Sequence, residues 1–324
     1  MHQKRVSLVA ACALAAIAAV FGATTAKAEA FPEKAVTLVV WSGAGGALDV
    51  YGRKLSEMLT KEVGWTNKVE NRAGGGGAVG LSYMMAQQAD GYTWVICTGT
   101  LTFGIAQGLI PFKTSDLTFV RAMQGEPTSL AVPKNSPYTS VQQFIDDLKA
   151  GKKLRVGGHS PGGFHQYMLF QLLQGLNIRT PWIPHDASGK IPLALLGGHL
   201  DVAMMTPSSG FSQVQSGDIR LLAISTDGRS PFYPDVPTFE ELGHDMVDYI
   251  WRGIVVKAGT PDDVVAKIQE ALDKVEATQE WKDFMQSLGQ DNPGFKGKAF
   301  QEYAETQIKA QTKFLEEEGF IKKK

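Results

Sequence analysis

Residues 154–173 read LRVGGHSPGGFHQYMLFQLL. Leu154 and Val156 carry a strand-like alternation, the glycines and proline of 157–163 break it, and Phe164, Met168, Leu169, Leu172 and Leu173 then recur at helical spacing on one face. Strand, tight loop and helix together form the repeating unit of an α/β protein. Inside the loop, residues 158–162 also spell G-x-S-x-G, the elbow that carries the nucleophilic serine of many hydrolases. That elbow builds part of its oxyanion hole from the N–H of the residue after the serine. Here that residue is Pro161, which has no N–H. Losing one oxyanion donor costs roughly 10²- to 10³-fold in rate, so Ser160 is read as a hydroxyl donor to a bound carboxylate, with a secreted ester hydrolase as the rival.

Working outward, the same unit recurs. Residues 36–41 read as a strand, 42–47 as a loop, and Leu48, Tyr51, Leu55, Met58 and Leu59 as the inward face of a helix. A second unit runs from a strand near 68–70 through the glycine run 74–77 and a helix to about residue 89, then a turn at Asp90 and Gly91 and a strand over 92–98. A helix near 191–196 leads through Gly197 and Gly198 into a strand over 200–205, and further strands follow at 219–225 and 249–256. Thr260-Pro261-Asp262-Asp263 opens a helix with its proline and acids in their favoured places. After Thr260, two amphipathic helices in all and no further strand are expected. The alternation argues for mainly parallel sheets flanked by helices. Domain boundaries are expected near 124–128 and 243–249, which makes one lobe discontinuous: 29–126 plus 247–324, against 127–246.

The first 28 residues have the pattern of a secretory leader. Lys4 and Arg5 precede an apolar stretch over 6–21, and Ala26-Lys27-Ala28 is a small-x-small cleavage site, with the cut expected after Ala28. The apolar run is short for a membrane span, which needs about 20 residues. Val9-Ala10-Ala11-Cys12 resembles a lipoprotein box but lies too close to Arg5 to leave an apolar region before it. The expected location is therefore the periplasm. Removing the leader leaves roughly 300 residues, enough for two domains and a substantial core. The whole chain carries a net charge of −1 and no basic domain, which argues against nucleic-acid binding. Cys97, in the apolar run 94–97, is the one cysteine outside the leader, and it reads as a buried thiol with no disulfide partner.

Two strands lead into loops of similar chemistry, 42–46 and 158–163. Both lack bulky side chains and both open a helix, so backbone N–H groups and the helix dipole can meet an anion there. Gly75 to Gly80 also fits G-x-G-x-x-G, but a dinucleotide site needs an acid about 20 residues further on, and 96–104 offers none. His159, His165, His185, His199 and His244 show no metal spacing. No metal or cofactor is expected. Trp41 reads either as core or as a ring for stacking, and His165 as either a ligand contact or a structural cap.

These residues resemble the periplasmic receptors of tripartite tricarboxylate transporters, the TctC-like or Bug family. The resemblance rests on Ala44-Gly45-Gly46 with Asp49, Glu70-Asn71-Arg72 with the glycine run, Asp90-Gly91-Tyr92-Thr93, Leu196-Gly197-Gly198 with Asp201, and Arg229-Ser230 before 234–238. It implies a two-lobed periplasmic-binding-protein fold of type II, hinged between the lobes. Such a protein is no enzyme: it closes on a small organic carboxylate and, as a monomer, delivers it to integral membrane subunits. A periplasmic sensor feeding a signalling protein would share the fold. Carried over by position, the ligand contacts are Ser42, Gly43, Ala44, Gly45, Gly46, Ala47 and Asp49, then Thr98, Gly99 and Thr100. From the second lobe come His159, Ser160, Gly162, Gly163, His165, Thr206 and Ser208. The chain departs from the family at Asp186, where relatives often have lysine, and at Met205-Thr206, where many have Asp-Asn. Asp186 is expected to alter the charge near the cleft.

Overall fold

The computed structural model describes residues 31–290 and 292–322. The leader expected over 1–28 lies outside the described residues. From Lys34 onward the chain builds two five-stranded sheets of the same plan. In chain order the strands are β1 Val36–Val40, β2 Asn67–Asn71, β3 Thr93–Thr98, β4 Leu117–Pro127, β5 Ser129–Pro133, β6 Val156–His159, β7 Trp182–His185, β8 Val202–Met205, β9 Ile219–Ile224 and β10 Tyr249–Lys257. The helices are α1 Ala47–Met58, α2 Ala78–Met85, α3 Thr100–Ala106, α4 Val141–Lys149, α5 Phe164–Leu173, α6 Lys190–Leu196, α7 Phe211–Gln215, α8 Asp262–Ala277, α9 Gln279–Ser287 and α10 Gly297–Glu317.

The first sheet has the order β2-β1-β3-β10-β4 and the second β7-β6-β8-β5-β9. In each, three neighbouring strands run parallel, and one reversed strand, β10 or β5, separates them from a fifth. Four of five strands in each sheet thus point the same way. β1 is buried along its whole length, as a parallel strand covered on both faces must be. α1 lays Leu48, Tyr51, Leu55 and Met58 on the sheet, and Gly52 lets it approach closely, because a Cβ there would meet Val40 Cγ2 at 2.7 Å.

The reversed strands come from the two passages between sheets. β4 runs into β5 through Thr128, and the chain returns to the first sheet at Asp248, after β9 and a loop rich in proline. Several elements differ from the sequence reading. β4, β5 and β7 were not foreseen, because β4 buries Arg121 and Gln124 among its apolar residues and so lacks a clean hydrophobic run. The helix expected to reach about residue 89 is α2, ending at Met85. Three helices, not two, follow Thr260: Thr278 leaves helical geometry and accepts the Trp281 N–H on its hydroxyl, which ends α8 and starts α9. The last helix, α10, packs Phe300 between Phe119 and Trp251 of the first sheet. Its far end places Phe314 and Leu315 in the core under the second sheet, beside Tyr167 and Phe170.

Candidate functional site

A cavity of about 770 Å³ opens between the ends of strands from both sheets. This is the switch-point location at which open α/β sheets hold ligands. The first sheet contributes Trp41 and Ser42 after β1, and Gly99 and Thr100 after β3; the second contributes His159, Ser160, Gly162 and Gly163 after β6. Those seven carried-over contacts, Ser42 to Gly163, are therefore brought together. Gly43, Ala44, Gly45, Gly46 and Ala47 are exposed and lie outside the cavity lining. Thr98, Thr206 and Ser208 also fall outside it; Thr206 is buried, and its carbonyl accepts the Ser209 N–H and hydroxyl.

Asp49 and His165 fall outside the cavity lining and bond the backbone of the loops after β1 and β6. Asp49 accepts the Gly45 N–H at 2.8 Å, the Asn71 amide at 2.8 Å and the Arg53 Nε–H at 3.0 Å. Burial alone would raise its pKa, but these bonds, with the charge of Arg53, overcome that and hold the carboxyl at about 2. A negative charge thus sits under the first turn of α1, and one donor of that loop is already taken. His165 is buried, which pushes its pKa down to about 3, with His159 close by adding to the effect. Its neutral ring accepts the His159 N–H on Nδ1 at 3.2 Å.

The β6–α5 loop is tightly wound. Ser160 has φ 59° and Gly162 φ 64°. The Ser160 N–H donates to the His185 carbonyl at 3.0 Å, its own carbonyl accepts from Trp182 Nε1, and the Gly162 N–H donates to Gln166 Oε1. The donors left are those of the first turn of α5: among the described residues the N–H groups of Gly163, Phe164, His165 and Gln166 find no acceptor. Of these residues Gly163 and Phe164 line the cavity, as does Ser160. The positive φ of Ser160 fits a hydrolase elbow, but no histidine bonds its hydroxyl among the described residues.

Sequence reading missed several lining residues, and it left Trp41 as either core or a ring for stacking. Trp41 is 6% exposed and packs its ring on Gly77, where a Cβ would meet it at 2.1 Å, so only glycine fits that turn. Phe103, Phe164 and Trp251 add apolar wall, and Glu126, Gln307 and Gln311 add polar wall. Among the described residues no lysine or arginine lines the cavity. Glu126 faces Arg252 at 3.5 Å and accepts from Gln290. The glutamines had a legible signal: the buried stripe of α10 runs Phe300, Ala304, Gln307, Gln311, Phe314, with two amides where apolar side chains would continue it. Asp186, expected to charge the cleft, instead pairs with Lys190 at 2.8 Å on the surface. Cys97 is buried, and burial raises its pKa. Among the described residues no group of acids, histidines and cysteine could hold a metal, and no helix is long and apolar enough to cross a membrane.

A family model described as "Tripartite tricarboxylate transporter family receptor" matches residues 51–320. A curated relative from Cupriavidus necator, "UPF0065 protein in gbd 5'region", is 28% identical over 324 residues, 98% of this chain and 97% of its own. Among solved structures, a TctC solute binding protein from Polaromonas superposes with a TM-score of 0.84 at 23% identity, covering 89% of this chain and 99% of its own. A protein of R. palustris solved with adipate gives a TM-score of 0.67 at 23% identity over 89% of this chain and 98% of its own.

Proposed function

The chain belongs to the tripartite tricarboxylate transporter receptor family, a family of periplasmic solute-binding receptors, and we propose that its solute is a small organic carboxylate, bound in the cleft between the two sheets. The carboxylate lies against the first turn of α5, with Gly163 and Phe164 N–H groups and the Ser160 hydroxyl as donors. Residues 29–126 with 247–324 form one lobe and 127–246 the other, and the pair closes over the guest. The protein acts as a monomer that hands its solute to integral membrane subunits, and it performs no chemistry on it. The observation that carries this reading is the set of unpaired N–H groups at the α5 tip, whose Gly163 and Phe164 line a cavity to which no lysine or arginine among the described residues contributes. Charge-assisted hydrogen bonds of about 1.5–3 kcal/mol each are sufficient for micromolar binding, near −8.2 kcal/mol, after ordering costs. The adipate bound to the R. palustris relative supports the solute class.

A thermal-shift panel of mono-, di- and aromatic carboxylates tests it. Ligand at 100 times its Kd adds about 2.7 kcal/mol of stability, a rise of roughly 5 °C or more at this size. A panel in which every acid leaves the midpoint unmoved while a neutral solute raises it removes the carboxylate assignment. The left-handed Ser160 favours one rival, a serine ester hydrolase. Ser160→Ala separates them: a receptor loses roughly tenfold in acid affinity, the scale of one hydrogen bond, and shows no ester turnover before or after the change.

A further inference from the structure

One wall of the cleft plays no part in holding the carboxylate. It is made by α10, which presents Gln307 and Gln311, and by Glu126 at the end of β4. The two glutamines are 7% and 2% exposed. Their amides bond to each other: Gln311 Nε2 donates to Gln307 Oε1 at 3.2 Å. That leaves Gln311 Oε1, an acceptor, buried and with no donor. Glu126 is a second group with only acceptor capacity when ionised, and it is already faced by Arg252 and Gln290.

A second carboxylate placed against this wall meets Glu126 and an orphaned oxygen, and among the described residues no cation lines the cavity beside them. A hydroxyl brings a donor proton for the unpartnered Gln311 oxygen. Phe103, Phe164 and Trp41 surround it with apolar surface suited to the carbon body between the two groups. We propose that this wall makes the receptor selective for hydroxy-monocarboxylates, acids with one carboxylate and a hydroxyl that donates to Gln311, and makes it reject dicarboxylates. The proposal rests on the carboxylate reading of the cleft.

Calorimetric titration of the full chain with two matched series tests it: benzoate, 4-hydroxybenzoate and terephthalate; hexanoate, 6-hydroxyhexanoate and adipate. The expected result is that in at least one series the hydroxy acid binds about tenfold or more tighter than its parent acid, with the dicarboxylate weakest. Gln311→Met, which keeps the bulk and removes the amide, is expected to bring that ratio to about one while leaving the parent acid's affinity unchanged, which also shows that the variant is folded. Equal binding of parent and hydroxy acid by the native chain, or a dicarboxylate that binds as tightly as the hydroxy acid, overturns the selectivity and leaves the carboxylate reading standing. If no acid of either series binds, the carboxylate reading itself fails, and the selectivity fails with it.

Discussion

Asp49 shows how a single side chain can look like a ligand contact in sequence and prove to be a support in structure. Its place four residues after Gly45 suits either role, but it closes back on the Gly45 N–H and ties Arg53 and Asn71 together, its own carboxylate being the buried part. Removing it takes away three hydrogen bonds to a buried carboxylate, so Asp49→Ala is expected to cost about 1–3 kcal/mol of unfolding free energy in urea titrations at pH 7. The pH dependence has a definite sign. The carboxyl is held at about 2, below the ordinary 3.8, so the folded state binds fewer protons than the unfolded one between those values. Its contribution is therefore complete above about pH 4 and disappears as pH falls toward 2. The alanine variant should lose that part of the acid transition, and an unchanged acid limb would show that Asp49 is not the group responsible. His165 was legible as far as two alternatives; it is buried and accepts the His159 N–H on Nδ1, which ties it to the loop.

The elements that the sequence displayed clearly are those with a single apolar face or a fully apolar run: β1, β3 and β6 with their loops, and α1, α5 and α8. What it concealed has a common cause, which is polar residues at buried positions. β4 hides Arg121 and Gln124, and α10 hides two glutamines and the Tyr303 hydroxyl, which bonds a carboxyl at the second passage. That carboxyl belongs to Asp248, which is 2% exposed. Burial raises it to about 7, against the opposing pull of the Tyr303 hydroxyl, the Tyr249 N–H and the Gln307 amide; Tyr167 is the other titratable group nearby. Here the folded state binds more protons than the unfolded state between about 4 and 7. The stabilisation is complete below pH 4 and declines as pH rises to 7, by at most about 1.4 kcal/mol per pH unit. Asp248→Asn, which cannot ionise, should flatten the stability profile over that interval in urea titrations at several pH values. A variant that keeps the native slope would assign the slope to another group.

At the scale of the whole molecule, the two passages between the sheets meet at one hydroxyl. Ser225 Oγ accepts the Thr128 N–H at 2.9 Å and donates to the Asp248 carbonyl at 2.6 Å, while the Ser225 N–H donates to the Thr128 carbonyl and the Asp248 N–H to the Ser225 carbonyl. All three residues are buried. In the proposed two-lobed receptor, closure is a rotation about these passages, and α10 limits it, because Phe300 is packed under one sheet and Phe314 under the other. Such a hinge has few residues free to absorb the change, and Ser225 couples the ones it has. Small-angle scattering should therefore show a smaller radius of gyration on addition of a saturating carboxylate. Ser225→Ala leaves the Thr128 N–H buried without a partner, at a cost of about 1–3 kcal/mol in stability. Because the clasp lies outside the cleft, its loss should act on affinity only through the open–closed balance, since apparent affinity scales with the fraction of molecules able to close. The expected signature is a ligand-free radius of gyration larger than the native one together with weaker binding, while the radius at saturation remains the same. A variant that binds more weakly with no change in the ligand-free radius would show that Ser225 influences the site by some route other than the hinge.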